Sequence, residues 1–279
     1  MMNELSGIKK SFYYLLLTLF SVITVFPLIW MFLSSLKTGK EIISIPLTFF
    51  PSDPQWGSFA KALELAPFGL YIFNSIVTAL AIVLFQIILS SMLSYALTQM
   101  DFKGKNILFV SILITYMLPA AATYVPSYII LARMGLLDTL SGIVISNIAS
   151  VFVIFLLRQA FMQVPKELIE AARSEGASDW YILRKVMIPM TKSTIFTVSL
   201  ISFVQMYNNY LWPSLIVNSQ EKYLITVGLN KFFTTQGNFA EQMPLIMAAN
   251  VLSVLPLLIL FFIFHKWFIK GISDTGVKG

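Results

Sequence analysis

The residues able to do chemistry are few, and their arrangement points away from catalysis. The one histidine, His265, stands beside Lys266 at the end of an apolar stretch, a poor setting for a metal or a proton shuttle. Cysteine is absent, which excludes disulfides, thiolate nucleophiles and cysteine-held metals. No paired carboxylates or nucleophile–base arrangement lies in the apolar stretches, and no GxxxxGK[ST] loop occurs to cradle a nucleotide. Two groups of residues remain. Ser202, Gln205, Asn208, Asn209 and Trp212 recur at helical spacing and would share one broad side of a helix. Amides bond sugar hydroxyls and an indole stacks on a pyranose face. Equally, amides join membrane helices and tryptophan favours interfaces. Asn74, Thr78 and Gln86 offer the same choice between lining a path and bridging helices. The second group is the charged segment 163–190 around Glu170-Ala171-Ala172 and Gly176. Its chemistry is that of a docking knob: small alanines permit close approach, and the acids can pair with a partner's arginine.

The elements that must carry these groups are membrane helices. Of 279 residues, 57% are hydrophobic and only 11% charged, and mean hydropathy is +0.81, whereas soluble domains run at about 25% charged. Six apolar stretches each approach or exceed the length of about 20 residues that a spanning helix needs. They run over about 12–36, 70–97, 107–131, 141–161, 194–217 and 243–264. The first follows Lys9-Lys10 but is too long for a signal sequence and lacks a small-x-small cleavage site, so it reads as a retained anchor. With the N-terminus in the cytoplasm, 13 of the 19 Lys and Arg fall on the inner side, against 7 of the 13 acids. The whole net charge of +6 then lies on that face, as the positive-inside rule expects. Both termini are therefore expected in the cytoplasm. The cores hold no Asp, Glu, Lys or Arg when the fourth is ended at Leu157. This argues against ion coupling, which needs ionisable groups in the membrane. Energy for uphill transport would have to come from another subunit.

Between the fourth and fifth stretches, the pattern predicts a short helix, a glycine turn and a second helix. Pro165 suits the first helical position, and the acids that follow complement the helix dipole. Leu168, Ala171 and Ala172 form an i, i+3, i+4 apolar stripe. Gly176 is placed to end the helix in a left-handed conformation, Ser178 or Asp179 can cap the next one, and Pro189 breaks the chain before the fifth stretch. An amphipathic interfacial loop and a docking knob both fit.

A resemblance sharpens the choice. Glu170-Ala171-Ala172, three residues, Gly176, nine residues and Val186-Met187-Ile188-Pro189 resembles the EAA-x3-G-x9-I-x-L-P motif of ABC importer permeases. Leu157-Arg158-Gln159 leading to Pro165-Lys166-Glu167-Leu168 is similar to the maltose-type carbohydrate permeases, as are Asn208-Asn209-Tyr210-Leu211-Trp212-Pro213 and the ending Trp267–Gly271 to Gly279. The likeness covers essentially the whole chain. Glu175 stands where Asp is usual, Val186 and Ile188 replace Ile and Leu, and Ser193 replaces a second Pro.

The resemblance implies an all-α membrane protein: one permease domain over residues 1–279, six transmembrane helices and a cytoplasmic coupling helix in loop 163–190. Implied partners are a second homologous permease, an ATPase dimer that binds the ATP and Mg, an extracytoplasmic solute-binding protein, membrane lipid and a carbohydrate. No cofactor, metal or nucleic acid is expected for this chain, and its place is the cytoplasmic (inner) membrane. Glu170, Ala171, Ala172, Gly176 and Pro189 would couple to the ATPase. Gln205, Asn208, Asn209, Trp212 and Asn74 are substrate-path candidates, although the larger permease of the maltose type makes most sugar contacts. The outer loop Asn218–Gln242, with Gly228, Asn230, Gln236 and Gly237, would reach the binding protein, and the tail 271–279 would reach between the ATPases. The loop Lys37–Pro67 is expected to pack on the outer face. The alternatives are an ABC permease for another solute, such as glycerol phosphate or an amino acid, and an ATP-independent facilitator.

Overall fold

The computed structural model of the chain describes residues 7–235 and 239–276, and among them all regular structure is helical. In order, the helices are α1 (Gly7–Ser35), α2 (Gly39–Ile42), α3 (Gly57–Leu65), α4 (Phe68–Gln99), α5 (Lys105–Tyr116), α6 (Ala120–Arg133), α7 (Leu140–Ser146) and α8 (Val151–Met162). They continue as α9 (Lys166–Ser174), α10 (Asp179–Ile182), a π turn over Leu183–Met187, α11 (Ile188–Met190), α12 (Lys192–Tyr207) and α13 (Leu211–Ile216). A 3₁₀ turn over Gln220–Lys222, α14 (Ile225–Thr235) and α15 (Phe239–Gly276) complete the chain.

Three helical stretches are long and apolar enough to cross a bilayer unaided: Lys10–Ser35, Phe68–Gln99 and Gln242–Lys266. The other three apolar regions are each bent. Lys105–Tyr116 meets Ala121–Arg133 at 103°, Leu140–Ser146 meets Val151–Met162 at 47°, and Asp179–Met190 meets Lys192–Tyr207 at 80°. Local chemistry explains the bends. Pro119 has no N–H and drives Leu118 out of helical space, so α6 starts afresh on it. Ser150 caps α8, its hydroxyl accepting from the Val153 N–H at 3.4 Å. Pro189 does not itself break the chain. It is accommodated by the π turn before it, and the turn comes two residues later at Thr191, whose hydroxyl donates to the Met187 carbonyl at 2.8 Å. The fifth region is thus not one helix over 194–217: it ends at Tyr207 and resumes at Leu211. The fourth includes Arg158, which lies inside α8 with its guanidinium carbon 4.0 Å from the Phe109 ring centre. One cation therefore does sit within an apolar helix, held against an aromatic face.

The chain divides into two compact units. The first contains the residues up to Phe68 and Leu229–Leu255. In it, α1 is exposed on every side from Phe12 to Phe20, and Thr38 and Glu41 form a reciprocal capping box that starts α2. Glu41 accepts from the Thr38 N–H at 2.7 Å and the Ser52 N–H at 2.9 Å, and these bonds hold its pKa down to about 2. Phe232 packs edge-on against Phe68, with ring centres 5.2 Å apart.

The second unit, Gly69–Gly228 with Pro256 onward, is organised around α4. Its buried face carries Asn74, Ser75, Thr78, Gln86, Ser90, Ser91 and Ser94. Several of these bond backbone groups of other elements. Gln86 donates to the Asn147 carbonyl at the α7–α8 bend (2.8 Å), and Ser94 to the Ile154 carbonyl (3.1 Å). Asn74 donates to the Glu221 and Tyr223 carbonyls (2.8 and 3.1 Å), and Ser75 accepts the first N–H of α14 (2.7 Å). In an apolar solvent such groups need internal partners. One apolar cluster joins Ile82, Leu131, Ile143, Trp212, Ile216 and Leu224, and a second joins Tyr95, Phe161, Ile169, Ile182, Leu183 and Met187.

Candidate functional site

The charged segment folds as a helix–turn–helix elbow. Pro165 is the cap of α9 rather than its first helical residue, with ψ of 129°, and Lys166 opens the helix. The end is a Schellman motif. Gly176 has φ of +83°, its N–H donates to the Arg173 carbonyl (2.9 Å), and the Ala177 N–H donates to the Ala172 carbonyl (3.0 Å). A Cβ built on Gly176 meets nothing within 4 Å, so this glycine is needed for its backbone angle and not for space. Ser178 caps α10, accepting from the Tyr181 N–H at 3.3 Å.

The inward side of α9 differs from the predicted stripe. Ile169 is the buried anchor and Ala172 packs beside it with Ala177, while Leu168 is 44% exposed. The Ile169–Ala172 row wins because the Schellman turn extends it into Ala177 and onto Ile182 and Leu183. Leu168 and Ala171 are consequently exposed, as are Glu167 and Glu170, and Pro189 is exposed further on.

The elbow is tied to the end of α4. The Tyr95 hydroxyl donates to Asp179 Oδ1 at 2.6 Å. Arg173 donates to the Gln99 carbonyl at 2.9 Å and meets Asp179 at 3.5 Å. A cleft of about 500 Å³ runs between α9, the ends of α4 and α8, and the start of α5, with Asp101, Lys105, Lys166, Glu170 and Arg173 on its walls. No local pattern marks Tyr95 or Gln99, which lie more than 70 residues from their partners.

The five polar residues of the fifth region do not share one side. Gln205 and Asn208 are exposed while Ser202 and Trp212 are buried, and the helix that carries Ser202 and Gln205 ends at Tyr207, before Trp212 is reached. Trp212 stacks on Tyr124 at 5.2 Å, and its indole N–H donates to Ser146 at 2.8 Å. The Asn209 carbonyl accepts from Thr226 at 2.8 Å. Asn74, 4% exposed, is spent on the 3₁₀ turn. The segment 218–242, expected to be an outer loop, is largely helical among its described residues. Gly228 is buried on α14, Asn230 is exposed, and Gln236 and Gly237 lie outside the described residues. The tail continues α15 as far as Gly276, and Val277–Gly279 also lie outside them. No group of three His, Cys, Asp or Glu gathers among the described residues, which include His265.

Residues 86–274 match the family described as the binding-protein-dependent transport system inner membrane component. The chain belongs to this family. It is similar to the arabinooligosaccharide transport permease AraQ of Bacillus subtilis, 31% identical over 96% of this chain and 97% of that one. It is also similar to the sn-glycerol-3-phosphate permease UgpE of Pectobacterium atrosepticum, 33% identical over 90% and 91%. Among solved structures, a chain of a bacterial ABC transporter involved in import of the acidic polysaccharide alginate superposes with a TM-score of 0.84. It is 26% identical, covering 95% of this chain and 99% of that one. The protein is accordingly a multi-pass membrane permease subunit and not an enzyme.

One further feature of the permease was not foreseen. Asp138 adopts a left-handed φ of 53° between α6 and α7. Its carboxylate accepts from the Asn218 and Ser219 N–H groups (each 2.9 Å) and from the Ser219 hydroxyl, with Lys222 at 3.6 Å. These bonds, the Ser219 hydroxyl first, hold its pKa well below the usual carboxylate range. Folded-state stabilisation is thus full above the ordinary carboxylate value of about 4 and is lost as pH falls through the lower folded value. Asp138→Asn keeps a residue that tolerates φ > 0 and removes the charge. It is expected to melt below wild type at pH 7, with the gap closing on acidification. A gap constant with pH would assign the effect to something other than the carboxylate.

Proposed function

We propose that this permease is one membrane half of an ATP-driven importer of carbohydrate, taken as an oligosaccharide, which moves its substrate by alternating access. It works with a second, related permease, an ATPase dimer that holds the nucleotide and Mg, and an extracytoplasmic solute-binding protein. The carrying observation is the elbow: α9 exposes Glu167, Leu168, Glu170 and Ala171, is clamped inward by Ile169, and is bonded to α4 through Arg173 and the Gln99 carbonyl, while Tyr95 of α4 holds Asp179 at the start of α10. A force applied to the outward face would pass along packed side chains to the helix that also holds the α7–α8 bend. Pairing of Glu170 with a basic residue of the ATPase fits this face. Both termini are taken to be cytoplasmic, on the strength of the lysine and arginine distribution.

For the substrate, support comes from the similarity to an arabinooligosaccharide permease and to a component of an alginate importer. The exposed amides of Gln205 and Asn208 fit a path for hydroxyl-rich solutes, and exposed Asn230 on α14 fits contact with the binding protein. Uptake of a labelled arabinooligosaccharide into liposomes containing the permease with its partner subunits tests this reading. It should require both ATP and the binding protein, and uptake with neither would overturn it.

A further inference from the structure

The segment between α1 and α3 has charged groups only at its neck. There, Glu41 accepts from Thr38 and Ser52, and the Gln55 N–H donates to the Leu36 carbonyl at 2.8 Å. Beyond the neck, residues 42–51 read Ile-Ile-Ser-Ile-Pro-Leu-Thr-Phe-Phe-Pro, without a single charge. Ile43, Ile45, Leu47 and Phe50 are 60%, 96%, 67% and 69% exposed.

The direction of this finger gives the exposure its meaning. The Phe49 ring lies 5.7 Å from Trp30 and 5.9 Å from Phe26 on α1. Trp30 and Phe26 precede Ser35, the last residue of α1, by five and nine positions, which at 1.5 Å per residue is about 8 and 14 Å along the helix. Having left α1 at its end, the chain therefore returns beside it toward the centre of the apolar span. Several polar groups at the base of the finger are turned inward or paired. Lys37, 1% exposed, donates to the Thr48 carbonyl at 2.6 Å and lies 4.3 Å from the Trp30 ring centre, so its charge is turned inward. Ser44 donates to the Glu41 carbonyl at 2.8 Å. Pro46 and Pro51 bring no backbone N–H that lipid would leave unpaired.

We propose that residues 42–51 are a lipid anchor: a hydrophobic finger that dips alongside α1 into the leaflet at the C-terminal end of that helix. In the orientation proposed above this is the outer leaflet, and the inference rests on that reading for the choice of leaflet alone. The occupant is acyl chain and headgroup boundary, since a charge-free tip folded back to the depth of a spanning helix meets lipid there.

The absence of cysteine makes the test direct. Nitroxide labels on Ile45→Cys, Leu47→Cys and Phe50→Cys, in the full chain reconstituted with its partner subunits in liposomes, report collisions with oxygen, which concentrates in lipid, and with a water-soluble nickel chelate. Asp53→Cys in the neck and Phe20→Cys in α1 serve as water and lipid references. At 47 and 50 the oxygen-to-nickel ratio should be several-fold above that at 53 and approach that at 20. Nickel-dominated relaxation at both sites would overturn the proposal, as would shielding from both agents, the mark of a protein partner seated on the finger. Measuring uptake in the same liposomes separates the two readings. ATP-driven uptake with water-exposed labels removes the anchor alone, and lipid-exposed labels with ATP-independent uptake remove the transport mechanism alone.

Discussion

Replacing Gly176 by valine should abolish most ATP-driven uptake while the chain still reaches the membrane at near wild-type level. The backbone there has φ of +83°, a conformation that costs a β-branched residue of order 1–3 kcal/mol. Each 1–2 kcal/mol changes the ratio of formed to unformed turn by roughly 5–30-fold. That cost falls on the Schellman turn closing α9, so the outward face of Glu170 and Ala171 loses its fixed direction relative to α4. Space does not enter, because a Cβ at this position meets no neighbour. Asparagine, which tolerates the left-handed region, should therefore retain most uptake. Transport assays with membrane levels measured in parallel check the pair. Normal uptake in the valine variant would remove the elbow from the mechanism. Equal loss in both variants would mean that the backbone angle is not the cause.

A second large effect is expected at Gly228, with the opposite physical origin. Here a Cβ would sit 2.2 Å from Tyr71 Cδ2 and 2.5 Å from Cε2, on a ring that is 2% exposed. Even alanine must displace that ring, and overpacking of this kind costs about 1–3 kcal/mol. Gly228→Ala should lower the thermal midpoint of the purified permease by several degrees, and Gly228→Val by more. Combining Gly228→Ala with Tyr71→Ala should cost less than the two separate losses together, because the second change empties the space the first one needs. Strict additivity would show that the ring is not what the new methyl meets.

These two glycines also mark what the sequence could and could not disclose. The left-handed turn at Gly176 was legible because an apolar helix pattern stops there and a Ser cap follows, both local signals. Gly228 looked like an exposed loop residue because nothing near it in the chain announces Tyr71, 157 positions away. The six apolar stretches were legible from hydropathy, but three are bent. In the fifth, the amide spacing fitted an unbroken helix. The chain instead breaks after Tyr207, and Trp212 goes to Ser146 and Tyr124, tertiary contacts that periodicity cannot carry. Two apolar rows were available on α9, and the choice of Ile169 over Leu168 was made by the cluster around Tyr95 and Phe161, elements drawn from other parts of the chain. Asp138 stood before an apolar run as one polar residue among several, and its partners at 218 and 219 are joined to it only by the fold.

The row of hydroxyls and amides along α4 reverses the usual rule for what a membrane helix tolerates. Changing Gln86 to leucine makes the segment greasier and, by any partition scale, a better inserter. Yet it takes from the Asn147 carbonyl the donor it has at the α7–α8 bend. The outward positions Phe73, Leu80 and Leu84, 55–62% exposed, can drift among oily residues without consequence. For this segment, insertion and integrity thus select in opposite directions, and a lineage that optimised only the former would lose the bends on which the rest of the bundle is hung.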